Sequence, residues 1–213
     1  MPNAPLQDVY RTHHATHRKP DFAIKEEQRA AIIGQWIGEG REQLDLGCRD
    51  GQLMRHFAQK NRVTGCEIDP DAAARARERG LNVVEADLNA PLPFADASFD
   101  VVSACEVLEH LPYWGITVRQ IRRVLRPGGI LVGSIPLAYH LTDRWRVLRG
   151  KVLLSAKDPT HLKFFSFDAL QEEFARHGFR LDAFEVIEGG GSFRSRHPRL
   201  FARNIAFRCV QTS

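Results

Sequence analysis

Apolar positions recur along this chain with two periods, and the periods take turns. Ala30, Ile33, Trp36 and Ile37 follow helical spacing over residues 25–38, and Gly38 and Gly40 stop the run. Residues 43–46 alternate as a first strand, and 52–59 place Leu53, Met54 and Phe57 on a helix. Residues 62–68 read as a second strand. Asp69 and Pro70 open the next helix, whose body, 72–79, is made of strong helix formers. Gly80 ends it, and 81–85 is a third short strand. Pro91, Pro93 and Asp96 mark a loop before an apolar, β-branched fourth strand at 98–104. A helix over 114–125 stops at Arg126, Pro127, Gly128 and Gly129, and 130–135 is a fifth strand. Such alternation predicts a parallel sheet with helices on both faces and a ligand site at the C-terminal strand ends.

Residues 136–163 interrupt the alternation, and a segment of this length predicts a cap or substrate loop with a short helix over 142–149. Ser166 then caps a helix over 166–177, with Phe167, Leu170 and Phe174 on one face. Strands at 179–186 and 205–211 predict an antiparallel pair at one sheet edge, joined by a Gly- and Arg-rich loop over 189–203. At the other end, residues 1–24 read as a loosely ordered arm. Tyr10 and His14 are its best-placed residues to touch a ligand if it folds over a site.

Composition narrows the class. A chain of 213 residues, 43% hydrophobic and 26% charged, reads as one globular domain over 1–213. It shows no apolar run of membrane-spanning length and no apolar leader, so a cytoplasmic protein is expected. Cys48, Cys66, Cys105 and Cys209 are scattered and predict reduced packing residues. A net charge of +4 is compatible with an anionic acceptor. Nucleic acid is disfavoured, because no basic stretch is interleaved with aromatic residues.

The chemistry gathers at strand ends. Asp45, Gly47 and Gly51 form a strand–turn–helix junction, although Gly-x-Gly-x-x-Gly is absent. Glu67 ends the second strand about twenty residues further on, which places a carboxylate at a C-terminal strand end. Together with 65–70, 85–88, 93–100 and 125–129, this junction resembles class I S-adenosylmethionine (SAM) dependent methyltransferases over residues 25–212. The resemblance implies a Rossmann-like α/β fold with a seven-stranded, mostly parallel sheet and an antiparallel C-terminal strand. It implies S-adenosyl-L-methionine as cofactor and a methyltransferase activity. Asp45, Gly47, Cys48 and Gly51 would line the methionine side, and Glu67 and Ile68 the ribose. Asp87 and Leu88 would meet the adenine, with Ala104 and Cys105 underneath. Asp69 reads as a helix cap. Arg49 departs from the family by standing where a middle glycine is usual.

Methyl transfer to a hydroxyl needs orientation and a base, and His161 and His110 are the residues placed for that. His161 lies in a His-Leu-Lys-Phe-Phe stretch that resembles small bacterial methyltransferases acting on sugars and other metabolites. A small-metabolite or glycan hydroxyl is therefore the expected acceptor. Glu106, Glu109 and His110, spaced Glu-x-x-Glu-His, also suit a divalent metal on one helical turn. The same spacing is similar to metal-assisted enzymes that methylate a vicinal diol of a catechol or a terminal RNA ribose. The plainer reading, capping and packing of the helix, is preferred. A non-catalytic partner subunit, its pocket closed by Arg49, is the alternative from another class. Arg144, Arg146, Arg149 and Lys151 in the cap, and Arg194, Arg196, Arg199 and Arg203 in the late loop, read as solvated or as a grip on an anionic acceptor. Acceptor identity and oligomeric state leave no pattern in the sequence.

Overall fold

The computed structural model describes residues 4–17, 25–188 and 191–212. Its elements run α1 (Ala4–His17), α2 (Glu26–Ile37), β1 (Glu42–Leu46), α3 (Met54–Ala58), β2 (Arg62–Glu67), α4 (Pro70–Glu78), β3 (Asn82–Glu85) and β4 (Phe99–Cys105). A 3-10 turn, Leu108–His110, precedes α5 (Trp114–Val124) and β5 (Leu125–Pro136). The cap holds α6 (Leu141–Leu148) and a second 3-10 turn, Ser155–Lys157. The chain then forms α7 (Phe167–Arg176), β6 (Phe179–Glu188), α8 (Ser192–Ser195), α9 (Pro198–Phe201) and β7 (Asn204–Gln211).

The seven strands lie in the order β3-β2-β1-β4-β5-β7-β6. β1 to β5 pair in parallel, and β7 runs antiparallel between β5 and β6. The order reverses between β1 and β4, because the chain builds outward through β2 and β3 and then returns. Side loops splay apart at such a reversal, and a cleft opens there.

Central strands are apolar because both faces are covered. One layer packs Leu46, Val102 and Leu131 with Trp114, Val118 and Ile121 of α5 and with Phe174 of α7. The other packs Val63, Val101 and Val132 with Ile33 and Ile37 of α2 and with Ala73 and Ala76 of α4. Local caps match the sequence. The Asp69 carboxylate accepts from Asp71 and Ala72 N–H, and Ser166 Oγ accepts from Ala169 N–H. Among the described residues no helix is long and apolar enough to cross a membrane.

Two expectations are corrected. The N-terminal arm is helical over Ala4–His17 and is tied to α4 by an ion pair between Arg11 and Asp71 at 2.8 Å. Residues 126–129 belong to β5 rather than ending before it: Leu125 already pairs with Phe99, and the register then slips to Val101 opposite Ile130.

β4 and β5 approach so closely at Gly133 that an added Cβ would stand 2.0 Å from the Ala104 carbonyl oxygen and 2.8 Å from the Phe207 ring. Gly133→Ala is therefore expected to cost about 1–3 kcal/mol through forced shifts in the central strands. Urea unfolding at fixed m-value measures it, and a wild-type midpoint would contradict it.

Candidate active site

The cleft at the strand reversal is walled by the ends of β1, β2 and β4 and by α1 and α2. Asp45, Gly47, Cys48, Glu67, Ile68, Asp87, Leu88 and Cys105 line it. Gly51 and Ala104 stand outside that lining. Gly51 has φ 82, and the Leu81 side chain fills the place a Cβ would take, so Gly51 shapes the turn by conformation and close packing. Ala104 is fully buried within the sheet.

The turn after β1 is organised by a carboxylate. Glu67 Oε2 accepts from Arg49 N–H at 2.9 Å, and Oε1 accepts from Ile68 and Asp69 N–H at 2.9 and 2.8 Å. The side chain is nearly buried, so these bonds form in a medium where they are strong. Arg49 sits at φ 49, the left-handed region that a glycine enters without strain. The turn therefore keeps its course with Arg49 in place. One link in that course is the Arg49 N–H bond to Glu67. Asp87, just past β3, accepts from the backbone and side-chain amides of Asn89, both at 2.9 Å.

Asp45 is buried, and its Oδ1 accepts from the Ser103 hydroxyl at 2.5 Å. Burial pushes its carboxyl up to about 7; the Ser103 hydrogen bond opposes this and the Glu67 charge adds to it. The folded value lies above the unfolded one, so the stability it contributes is full below about 4 and is lost as pH rises toward about 7. Asp45→Asn keeps the acceptor for Ser103 and removes the charge. Its melting temperature is expected to gain on wild type between pH 5 and pH 8. Parallel thermal melts test this, and equal shifts in both proteins would refute it.

Tyr10, singled out in the sequence, lines the cleft, and the sequence missed several other lining residues: Glu26, Arg29, Gln52, Asn89 and Val107. One left a signal. Arg29, Ile33 and Ile37 lie four residues apart and are the buried face of α2, so a cation stands in an apolar stripe. Its Nη2 lies 3.0 Å from Glu106 Oε1. Glu26, one turn earlier, meets His56 and Arg55 at 2.7 Å, and these neighbours hold its carboxyl below the usual range against the opposing effect of burial. The His14 side chain lies outside the described residues.

The Glu-x-x-Glu-His segment does not form one helical turn. Glu106 has φ 55, which breaks the backbone before the 3-10 turn begins. Its carboxylate points to Arg29, Ser134 and Asn204, each at 3.0 Å. The triad of Glu106, Glu109 and His110 is thus corrected to Glu109, His110 and His161, whose ligand atoms lie within 4.8 Å of one another. The cap makes this possible: Leu162 and Lys163 N–H donate to the Glu109 carbonyl at 2.8 and 3.0 Å, which carries His161 onto His110. The two imidazoles meet edge to face with centroids 4.7 Å apart. His110 Nδ1 lies 3.0 Å from the Thr160 carbonyl, so it must carry the proton, and Nε2 is the basic nitrogen. Glu109, fully buried, stands 3.9 Å from that Nε2. His161 Nε2 is 3.9 Å from Asp158. Tyr10 of α1 donates to the His110 carbonyl at 3.0 Å, and burial first, then the carboxylates of Asp87, Glu67 and Glu109, push its phenol up to about 12. His110 lines the same cleft as Glu67 and Asp87.

The four cysteines are free thiols, as expected. Cys66 is pushed up to about 12, chiefly by burial.

This strand order, with an acid-lined cleft at the reversal, defines a Rossmann-like class I methyltransferase fold. Residues 15–183 match the methyltransferase domain family, and the chain belongs to that family. It is 39% identical over 158 residues to a probable S-adenosylmethionine-dependent methyltransferase of Mycolicibacterium smegmatis, covering 71% of this chain and 57% of that protein. It is 41% identical over 101 residues to 27-O-demethylrifamycin SV methyltransferase of Amycolatopsis mediterranei, covering 43% of this chain and 37% of that one. The matches thus span well under two thirds of these relatives' lengths. The fold is also that of Burkholderia thailandensis 1,6-didemethyltoxoflavin-N1-methyltransferase, solved with bound S-adenosylhomocysteine. The TM-score is 0.70 at 18% identity over 99% of this chain and 88% of that one.

Proposed function

We propose that this chain is a SAM-dependent methyltransferase that methylates a hydroxyl of a small molecule, with His110 and His161 handling the proton. One observation carries the reading: the cleft that holds Glu67 and Asp87 at one wall holds His110 at another. The residues fit the cofactor. Glu67 and Asp87 line the cleft, where Glu67 would accept from a diol and Asp87 from an amino group. When bound, the cofactor supplies an electrophilic methyl on a sulfonium, so no group of the chain need activate the donor. The chain's own work is orientation and proton removal. His110 is suited to the second: its Nδ1–H is tied to Thr160, which aims Nε2. The edge-to-face contact and the backbone bonds of 162 and 163 fix His161 beside it. Relatives named for 27-O-demethylrifamycin SV and for ubiquinone biosynthesis O-methylation support oxygen as the target.

A second reading has its own observation. Glu109, His110 and His161 offer one oxygen and two nitrogens within 4.8 Å, a donor set suited to a divalent ion. Such an ion would lower the pKa of a hydroxyl it binds.

Calorimetric titration with S-adenosylhomocysteine, followed by methyl transfer to a panel of hydroxyl acceptors with and without chelator, tests both readings. Saturable binding at about 1–100 µM is expected. Folded protein that gives no heat would refute the methyltransferase reading. Activity lost with chelator and restored by added metal would shift the role of His110 and His161 from base to ligand.

A further inference from the structure

The α6 helix is built the wrong way round for a helix on a domain surface. Its buried side chain is polar: Asp143 is inaccessible and accepts from Tyr139 and Leu154 N–H at 3.0 and 2.9 Å, which anchors the helix to the cap. Its apolar stripe faces out. Leu141, Trp145 and Leu148 follow i, i+4, i+7 spacing and are 43%, 57% and 78% exposed, and Val152 in the turn that follows is 61% exposed. Large apolar side chains that cluster in solvent mark an interaction surface.

The charge around this stripe says what it meets. Arg144, Arg146, Arg149 and Lys151 stand within eight residues of one another, and among the described residues no carboxylate lies within ion-pair distance of any of them. Among the described residues Arg144 and Arg146 bond backbone carbonyls, of Tyr139 and Val152, and no carboxylate balances their charge. Arg149 lies over the Trp145 ring at 5.1 Å. The one acid of the helix, Asp143, is buried and used internally. A twofold contact between two copies would set these cations against their own counterparts. An apolar stripe with an indole, flanked by cations that lack anions, instead matches the interface of an anionic bilayer: acyl chains below, acidic headgroups around.

We propose that α6 and the turn after it dock the protein reversibly on an anionic lipid surface. The cap leads from this helix through Asp158 to His161 and to exposed Leu162, so docking would bring the membrane to the side of the chain that carries the His110–His161 pair.

The test is co-sedimentation of the full chain with vesicles of phosphatidylcholine alone, or with 30% phosphatidylserine, at low and physiological salt. Binding to the anionic vesicles only, weakened by salt, is expected, with about fivefold lost per basic residue removed from Arg144, Arg149 or Lys151. The pair Trp145→Glu and Leu148→Glu should abolish binding while leaving the melting temperature unchanged, since both side chains are exposed. Tyr113→Ser, an exposed aromatic outside the cap, should bind as wild type. Absence of binding to anionic vesicles at low salt would overturn the proposal. So would binding untouched by the double substitution, or a dimer in light scattering that the same substitution dissolves. None of these outcomes depends on methyl transfer, so failure here and failure of the proposed activity are separable.

Discussion

Glu67→Ala is expected to weaken S-adenosylhomocysteine binding by more than a hundredfold. The carboxylate has two tasks. It holds the turn after β1 against β2 through Arg49 N–H, braces the β2–α4 junction through Ile68 and Asp69 N–H, and faces the cleft. A hydrogen bond to a charged group contributes about 1.5–3 kcal/mol, and two to a diol account for a hundredfold or more. Removing the carboxylate also leaves three inward N–H groups without their acceptor, so the turn itself should loosen. Glu67→Gln separates the tasks. An amide keeps one acceptor oxygen but sets its NH2 against backbone donors, so it should also bind poorly. Calorimetry with circular dichroism as a folding control reads both. Binding within threefold of wild type by folded Glu67→Ala would show that the cofactor does not use this wall.

The sheet was legible because its signals are local. The strands from 43 to 135 alternate with helices, and the caps at Asp69 and, further on, at Ser166 lie within three residues of what they bond. The C-terminal strand pair followed from the same periods. What escaped reading depends on partners far away in the chain. Helix α1 is short, and helices of that length are marginal in isolation. Contacts at Asp71 and at the His110 carbonyl dock it. The Glu-x-x-Glu-His spacing promised a helical triad, but spacing says nothing about one residue at positive φ, and Glu106 at φ 55 turned its carboxylate to Arg29. His161 joined Glu109 and His110 through backbone bonds made by the cap, which no motif encodes. Cleft-lining residues at the strand ends could be read from the sequence, because topology fixes their place. Of the lining residues on α1 and α2, Tyr10 was named from the sequence but Glu26 and Arg29 were not, because the face α2 presents depends on tertiary packing.

His161→Ala is expected to lower turnover by about 10²- to 10⁴-fold, the usual contribution of a positioned proton acceptor, while leaving S-adenosylhomocysteine affinity within about threefold. The split follows from geometry. His161 packs on the His110 imidazole with centroids 4.7 Å apart, whereas Glu67 and Asp87, the acids proposed to hold the cofactor, belong to other elements. A merely packing histidine would instead lower stability and affinity together, so melting temperature and titration must accompany the rate. His110→Ala should cost as much or more, since Nδ1 is already committed to Thr160 and Nε2 carries the basic lone pair. Glu109→Gln then divides the two mechanisms. If the histidines act as bases, a neutral amide 3.9 Å from His110 Nε2 removes only the charge that favours the imidazolium, and activity should fall modestly. If the three groups hold an ion, losing the one anionic ligand should collapse metal affinity, and activity with it. Added metal at high concentration should then restore the variant in part. Full turnover in His161→Ala would remove the residue from both mechanisms and leave His110 to act alone.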